Sequence, residues 1–237
     1  MVDLKIGGKK MQIKELALIE KQVKTTEKTI FNNFKGWKKE LWQHRKLIAL
    51  SVLMYAIALV LNFAAGRYVE KKINFSVTDL VLDHIPTINL EYLFTYGITI
   101  IIALIFIYPL FFKIKELHVV ISQFSLLILV RSFFIILTHL QQPADAIISN
   151  LPKVFDWFTF NNDLFFSAHT AIPFLGFLLF RKEKIGIFFF IATLVMAATV
   201  LLMHVHYSID VFAAIFITYG TYRFGKFLFK KINHSEK

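Results

Sequence analysis

The C-terminal half of the chain carries two histidines and one aspartate that can together support group transfer. His206 and Asp210 are four residues apart, so on a helix they share one face, where the carboxylate can orient the imidazole and stabilise its cation. His169 lies earlier in the chain and can donate a proton. These three groups suffice to cleave an ester by transfer to an imidazole nitrogen.

A phosphoryl group is the most natural group for such a site to transfer. Phosphoramidate intermediates are chemically accessible on histidine, and Arg131 can offset the negative charge of a phosphate. Arg131 can equally pair with an acidic side chain within a helix bundle. The sequence leaves both roles open.

Long, uninterrupted apolar runs must position these residues. Hydrophobic residues make up 57% of the 237 positions and charged residues only 18%. A bilayer core about 30 Å thick is crossed by about 20 apolar helical residues, and the chain offers such stretches repeatedly. We therefore predict an all-α integral membrane bundle of six transmembrane helices. The predicted spans are 47–66, 92–112, 118–140, 164–180, 185–203 and 207–225.

Basic residues predict which side of the membrane each connection occupies, because Lys and Arg are retained on the cytoplasmic side. With six spans, the basic N-terminal segment, the basic turns at 113–115 and 181–184, and the basic tail all fall on one side. The two long connections, 67–91 and 141–163, carry proline and several acids and fall on the other. Both termini are therefore predicted to be cytoplasmic.

This topology brings the candidate residues to the extracytoplasmic side. His169 begins the fourth span, and His206 and Asp210 flank the start of the sixth. Arg131 lies about 13 Å before the end of its predicted span, and its long side chain can reach outward. Ionisable groups at membrane depth cost on the order of 3 kcal/mol or more, so these residues are functional candidates by default.

The predicted membrane domain, 47–226, is flanked by two basic segments. Residues 1–46 hold twelve Lys or Arg against five acids, with apolar residues between the lysines. This pattern fits an amphipathic helix on the membrane surface, and equally a solvated basic segment that only sets topology. Residues 227–237 are predicted to form a basic cytoplasmic tail.

Composition excludes several classes of function. The chain has no cysteine, so disulfides, thiolate metal sites and cysteine nucleophiles are absent. The net charge of +11 lies mostly beside the apolar spans, where anionic lipid headgroups are nearer partners than nucleic acid. We therefore predict a membrane partner and no nucleic-acid partner.

Three motifs recur on the same predicted side of the membrane. They are Asp163-Leu-Phe-Phe-Ser167-Ala168-His169-Thr170, His204-Val-His206-Tyr207-Ser208-Ile209-Asp210-Val211, and Arg131 followed by Thr138, Leu140 and Pro143. They resemble the Asp-x-x-x-Ser-Gly-His-Thr, His-x-His-Tyr-Thr-x-Asp-Val and Arg-x6-Thr-x-Leu-x-x-Pro motifs of the sphingomyelin synthases, within the phosphatidic acid phosphatase type 2 superfamily. Ala168 and Ser208 stand where that family has glycine and threonine. The resemblance covers about residues 75–225, with a weaker similarity at 79–86.

The resemblance implies a two-step lipid phosphotransferase that needs no metal or cofactor. The histidine matching His206, aided by Asp210, takes the phospho-headgroup from phosphatidylcholine or phosphatidylethanolamine. The histidine matching His169 protonates the departing diacylglycerol and then helps to deprotonate a ceramide-like or diacylglycerol-like acceptor alcohol. Substrate-binding roles are implied for the other motif residues: Arg131, Asp163, Ser167, Thr170, His204 and Tyr207.

Other functions fit part of the same pattern. A lipid phosphate phosphatase would use the same phosphohistidine chemistry with water as acceptor, although its usual Lys-x6-Arg-Pro motif is absent here. His204 and His206, with His169 or Asp210, can also be read as a zinc or iron site. A non-catalytic transporter or scaffold would keep the bundle and tolerate loss of the histidines.

Individual residues also have simpler interpretations. His204 can support the site from beside it as readily as act directly. Asp163 can either orient His169 or cap the fourth span, and the Tyr207 ring can belong to the aromatic belt at the membrane interface.

Overall fold

The computed structural model describes most of the chain and shows it to be mainly helical. The described residues are 3–6, 9–12, 35–72, 75–147, 160 and 162–234. They belong to two compact units, Met1–Arg45 and Lys46–Lys237.

The first unit contains a short antiparallel hairpin. Strands β1 (Asp3–Ile6) and β2 (Lys9–Gln12) pair with Leu4 opposite Met11, and residues 35–43 are helical. An amphipathic helix, one of the two interpretations of residues 1–46, therefore does not include Asp3–Ile6 or Lys9–Gln12. The remainder of that prediction, at 13–34, lies outside the described residues.

In the part of the chain that the structure describes, six longer helices follow. They are α1 (Arg45–Glu70), α2 (Ile98–Phe112), α3 (Leu117–Leu137), α4 (Ala168–Phe180), α5 (Lys184–Leu202) and α6 (Ser208–His234). A π-helical turn, Leu93–Gly97, leads directly into α2. Short 3-10 turns occupy Leu82–His84 and Ile114–Glu116.

Among the described residues, four helical segments are long and apolar enough to cross a membrane. They are Arg45–Glu70, Leu93–Phe112, Ile114–Leu137 and Lys184–Leu202. These segments correspond to the first, second, third and fifth predicted spans. The fourth predicted span contains α4, which is apolar but has only 13 residues.

Several helix ends differ from the predicted span ends, and three of them bear on the site or on the domain boundary. The helix α4 begins at Ala168, not near 164, because Ser167 takes a non-helical backbone conformation with ψ 113° at its N-cap. The helix α3 ends at Leu137 because Thr138 is extended, so Arg131 lies six residues, about 9 Å, from that end. The helix α6 continues to His234, so the boundary predicted at 226 falls inside a helix.

The helix α4 lies at the centre of the bundle and packs against α2, α3, α5 and α6. Buried residues make up 56% of the apolar stretch of α3 but only 11% of that of α1, so α3 is an inner helix and α1 faces outward. Gly176 lets α4 and α5 approach closely, because a Cβ there would lie 2.7 Å from the Phe189 ring.

Candidate active site

The first turn of α6 orders the segment that precedes it. Asp210 is fully buried, and its Oδ2 accepts the backbone N–H of Tyr207 at 3.0 Å. In a capping box, the side chain of the third helical residue accepts the backbone N–H of the N-cap residue, and this half of the motif is present here. The backbone N–H of Ser167 also donates to the Asp210 carbonyl at 3.2 Å, which joins the starts of α4 and α6.

His206 is held beside Asp210 by this capped turn. The expectation that both residues lie on one helix face is wrong, because α6 begins at Ser208 and His206 precedes it. Its Nδ1 nevertheless lies 3.5 Å from Asp210 Oδ2, longer than a good hydrogen bond. Catalytic hydrogen bonds are often long without substrate and tighten when it binds. Since Nδ1 faces the carboxylate, Nε2 is the nitrogen left to meet a substrate.

His169 reaches the same site from the first turn of α4. Its ring stacks on Phe94, with centroids 3.8 Å apart and planes 20° apart. Two residues before His169, the Ser167 N–H donates to the carbonyl of Asp210, the partner of His206, and the preceding Phe166 carbonyl accepts the Arg131 guanidinium. The structure therefore brings together the two imidazoles that the sequence separates by 37 positions.

Arg131 is buried in α3 and pairs with Asp163. Its guanidinium donates to Asp163 Oδ2 at 2.7 Å, to the Asp163 carbonyl at 3.3 Å and to the Phe166 carbonyl at 2.9 Å. Of the two roles predicted for Arg131, pairing with an acid is the one these contacts show. Asp163 does not cap α4, because Ser167 occupies the N-cap position. The Oδ1 atom of Asp163 has no hydrogen-bond partner among the described residues.

Two hydroxyl residues of the same motif line the start of α4. Ser167 and Thr170 are both fully buried, and their hydroxyl oxygens lie 3.4 Å apart. The two residues lie on either side of His169 in the sequence. Ser167 also directly follows Phe166, whose carbonyl accepts the Arg131 guanidinium.

His204 lies two residues beyond the end of α5 and has a left-handed backbone conformation, with φ 54°. It is buried, and its Nδ1 lies 2.7 Å from Asp145 Oδ2. Asp145 belongs to the long connection after α3 and also accepts the Thr87 hydroxyl at 3.2 Å. This contact supports neither of the two interpretations of His204 over the other.

Tyr207 is buried and anchors the two long connections instead of joining an aromatic belt. Its side chain is only 1% exposed, and its hydroxyl donates to the Gln141 carbonyl at 2.8 Å and accepts the Val77 N–H at 3.0 Å. One hydroxyl therefore ties both long connections to the segment that carries His206.

Asp79 fastens the first long connection to the start of α6. Its Oδ2 accepts the backbone N–H of Ser208 at 2.7 Å and the Ser208 hydroxyl at 2.9 Å. Partial burial raises the pKa of Asp79, but these bonds and the N–H groups of Val81 and Leu82 outweigh it and hold the pKa below the ordinary 3.8. An anion at this helix start also complements the helix dipole.

The sequence alone does not identify three residues of this site: Phe94, Asp79 and Asp145. Asp79 and Asp145 are carboxylates in the connections predicted to lie on the same side as the site, which is only a weak indication of a role there. Their hydrogen-bond partners are too distant in sequence to be predicted from residue spacing. Phe94 gave no signal among 27 phenylalanines. Among the described residues, no group of three His, Asp or Glu side chains is arranged to hold a metal ion.

Comparison with protein-family models, with curated proteins and with solved structures finds no match for this chain. Its function must therefore be argued from the chemistry of the site itself.

Proposed function

We propose that the protein is a membrane-embedded lipid phosphotransferase that resembles the sphingomyelin synthases. The observation that carries this proposal is the hydrogen bond from the Ser167 N–H to the Asp210 carbonyl, which joins the start of α4, where His169 lies, to the buried His206–Asp210 pair. Two imidazoles, one backed by a carboxylate, are what a double displacement at phosphorus needs.

In the first step, Nε2 of His206 attacks the phosphorus of a phospholipid. A P–N bond forms and the P–O bond to diacylglycerol breaks. The departing oxygen takes a proton from His169, and Asp210, facing Nδ1 of His206, stabilises the positive phosphoimidazole ring.

In the second step, the neutral His169 takes the proton of the acceptor hydroxyl. The acceptor oxygen attacks phosphorus, the P–N bond breaks, and His206 returns to its starting form. The acceptor is a ceramide-like or diacylglycerol-like alcohol and the donor is phosphatidylcholine or phosphatidylethanolamine, as the motif resemblance implies.

Arg131 supplies positive charge next to the reacting groups. Its guanidinium is held by Asp163 and by the Phe166 carbonyl, so its position is fixed before substrate arrives. A preorganised charge is worth more at a developing phosphoryl anion than one that must reorganise. The remaining motif residues, Ser167, Thr170, His204 and Tyr207, are proposed to shape the headgroup site.

We further propose that α4 and α6 also cross the membrane, which makes six spans with both termini cytoplasmic. Although α4 has only 13 residues, the apolar Phe165 and Phe166 precede it. An even number of spans puts the basic turns on the cytoplasmic side and the long connections, with the site, on the other. The lipid substrates would then enter from the extracytoplasmic leaflet.

The test is to give the purified protein a fluorescent ceramide or diacylglycerol with phosphatidylcholine, phosphatidylethanolamine or phosphatidic acid, and to identify products by mass. We expect headgroup transfer, with an acid-labile phospho-adduct on His206 when the acceptor is omitted. His206→Ala and His169→Ala should lower turnover at least about a hundredfold.

The matched control is His139→Ala, since His139 is exposed and contacts Tyr68 outside the site, at a ring-centroid distance of 5.8 Å. It should keep wild-type turnover. Release of phosphate from phosphatidic acid without any headgroup transfer would instead establish a phosphatase. If His206→Ala and His169→Ala both keep full function, the enzymatic interpretation is wrong.

A further inference from the structure

The backbone at His204 is unusual for a histidine. The N–H groups of His204 and Val205 donate to the Leu201 and Val200 carbonyls at 3.0 and 3.1 Å, closing α5 in the Schellman arrangement. Glycine, or less often asparagine, usually fills the left-handed position of that arrangement, because a larger side chain strains it. A capping role alone therefore does not explain a histidine there.

The side chain of His204 is held from one side by Asp145. The Nδ1 atom donates to Asp145 Oδ2 at 2.7 Å, and the carboxylate is 61% exposed whereas the ring is only 3% exposed. Burial raises the pKa of Asp145, but bonds from its own backbone N–H, His204 and Thr87 outweigh it, so the carboxylate is anionic at neutral pH.

The segments around this pair are fixed to the end of α5. Ile88 N–H donates to the Leu202 carbonyl at 2.7 Å, and Ile147 N–H donates to the Met203 carbonyl at 3.0 Å. The position of Asp145 is thus fixed by the backbone hydrogen bond of Ile147, two residues later in the chain, as well as by its own side-chain contacts.

The other nitrogen of the His204 ring is buried and has no hydrogen-bond partner among the described residues. An unsatisfied buried nitrogen destabilises the fold and requires a reason for being kept. His204 also lies two residues before His206, in the segment that presents the nucleophile. A ligand at the site can supply the missing partner.

We propose that His204 binds the phosphate of the lipid headgroup through Nε2 and that Asp145 is the positioning residue that holds its ring. This inference rests on the proposed function and adds a second imidazole–carboxylate pair to the same site. With an anion at each nitrogen, the ring in the complex carries a proton on both and donates Nε2–H to a phosphate oxygen.

The probe for this proposal is orthovanadate, a mimic of phosphorus at its transition state that needs no knowledge of headgroup or acceptor. Its affinity is measured by thermal shift of the detergent-solubilised protein, together with KM and kcat for headgroup transfer. His204→Gly and His204→Asn both suit a left-handed backbone and remove the imidazole, so they separate capping from binding.

We expect both His204 variants to unfold at or above the wild-type temperature but to bind orthovanadate about tenfold or more weakly. Asp145→Asn should weaken binding less, by roughly threefold, because an exposed carboxylate contributes modestly. The double variant His204→Asn/Asp145→Asn should be no weaker than His204→Asn alone. Asp83→Asn, at an exposed acid of the other connection, is the matched control and should bind as wild type.

Wild-type orthovanadate affinity and KM in His204→Gly would overturn the binding role and leave only a helix cap. An unchanged Asp145→Asn beside a weakened His204→Asn would overturn the positioning role of Asp145. Failure of the proposed function has a different signature, because the wild-type protein itself would then transfer no headgroup, whether or not it binds orthovanadate.

Discussion

Asp210 Oδ2 lies 3.5 Å from His206 Nδ1 while accepting the N–H of Tyr207 at 3.0 Å. A single carboxylate oxygen thus serves both the helix start and the proposed nucleophile. Its second oxygen, Oδ1, is buried without a partner among the described residues. The two functions of this carboxylate can be separated by substitution.

Asp210→Asn should keep the fold and lose most turnover. The amide oxygen of asparagine can still accept the Tyr207 N–H, so the unfolding temperature should change little. Without the negative charge, the phosphoimidazole intermediate loses its counterion, and kcat should fall about a hundredfold or more. Headgroup-transfer assays and thermal unfolding in detergent measure both effects. Wild-type rates in this variant would remove Asp210 from the mechanism.

The Arg131–Asp163 pair should behave as a buried ion pair. The side chains are 7% and 10% exposed, so removing one partner strands a charge away from water. Arg131→Met or Asp163→Asn should each destabilise the protein by about 3 kcal/mol, and the double variant should lose less than the sum. Thermal or denaturant unfolding in detergent checks this.

The matched control for that pair is the bond between Lys113 and Glu183, whose side chains are 30% and 33% exposed. Breaking it with Glu183→Gln should destabilise the protein much less than breaking the Arg131–Asp163 pair, because water screens the charges. Equal losses at the two pairs would contradict the buried character of the Arg131 site.

The sequence predicts the apolar helices well because a bilayer imposes a minimum length on every crossing. It does not predict where α4 begins, since Phe165 and Phe166 extend the apolar run past the N-cap at Ser167. The strands Asp3–Ile6 and Lys9–Gln12 are not predicted, because four residues are too few to show a clear strand period.

The site is predictable only in part, for a related reason. The spacing of His206 and Asp210 correctly indicates that their side chains are neighbours. Their contact arises from the capped turn before α6 and not from a shared helix face. The Asp145–His204 contact joins residues 59 positions apart through loops. No local periodicity encodes such a contact, so only the folded arrangement of the connections reveals it.

Gly176→Ala should destabilise the protein, whereas Gly220→Ala should not. An added Cβ at Gly176 would meet the buried Phe189 ring at 2.7 Å, and a ring packed between α4 and α5 has little room to move. We expect a loss of about 1 to 3 kcal/mol from overpacking. At Gly220, in α6, nothing lies within 4 Å of the new atom, so alanine should be neutral or stabilise by up to about 1 kcal/mol. Unfolding temperatures of the two variants test the packing; equal values would contradict it.

Asp79 should stabilise the protein in a pH-dependent way. Its hydrogen bonds to Ser208, Val81 and Leu82 hold its folded-state pKa below the ordinary 3.8, so folding favours the ionised form. The stabilisation is therefore fully present above pH 3.8 and is lost as the pH falls through the lower, folded-state pKa. Asp79→Asn should unfold at a lower temperature than wild type at about pH 7 and about pH 5, and the difference should shrink below about pH 3. Ser208→Ala, which removes one of the donors, should show a smaller difference with the same trend. A difference between wild type and Asp79→Asn that persists unchanged at the lowest pH, or that has already vanished near neutrality, would show that the carboxylate charge is not what fastens this connection to α6.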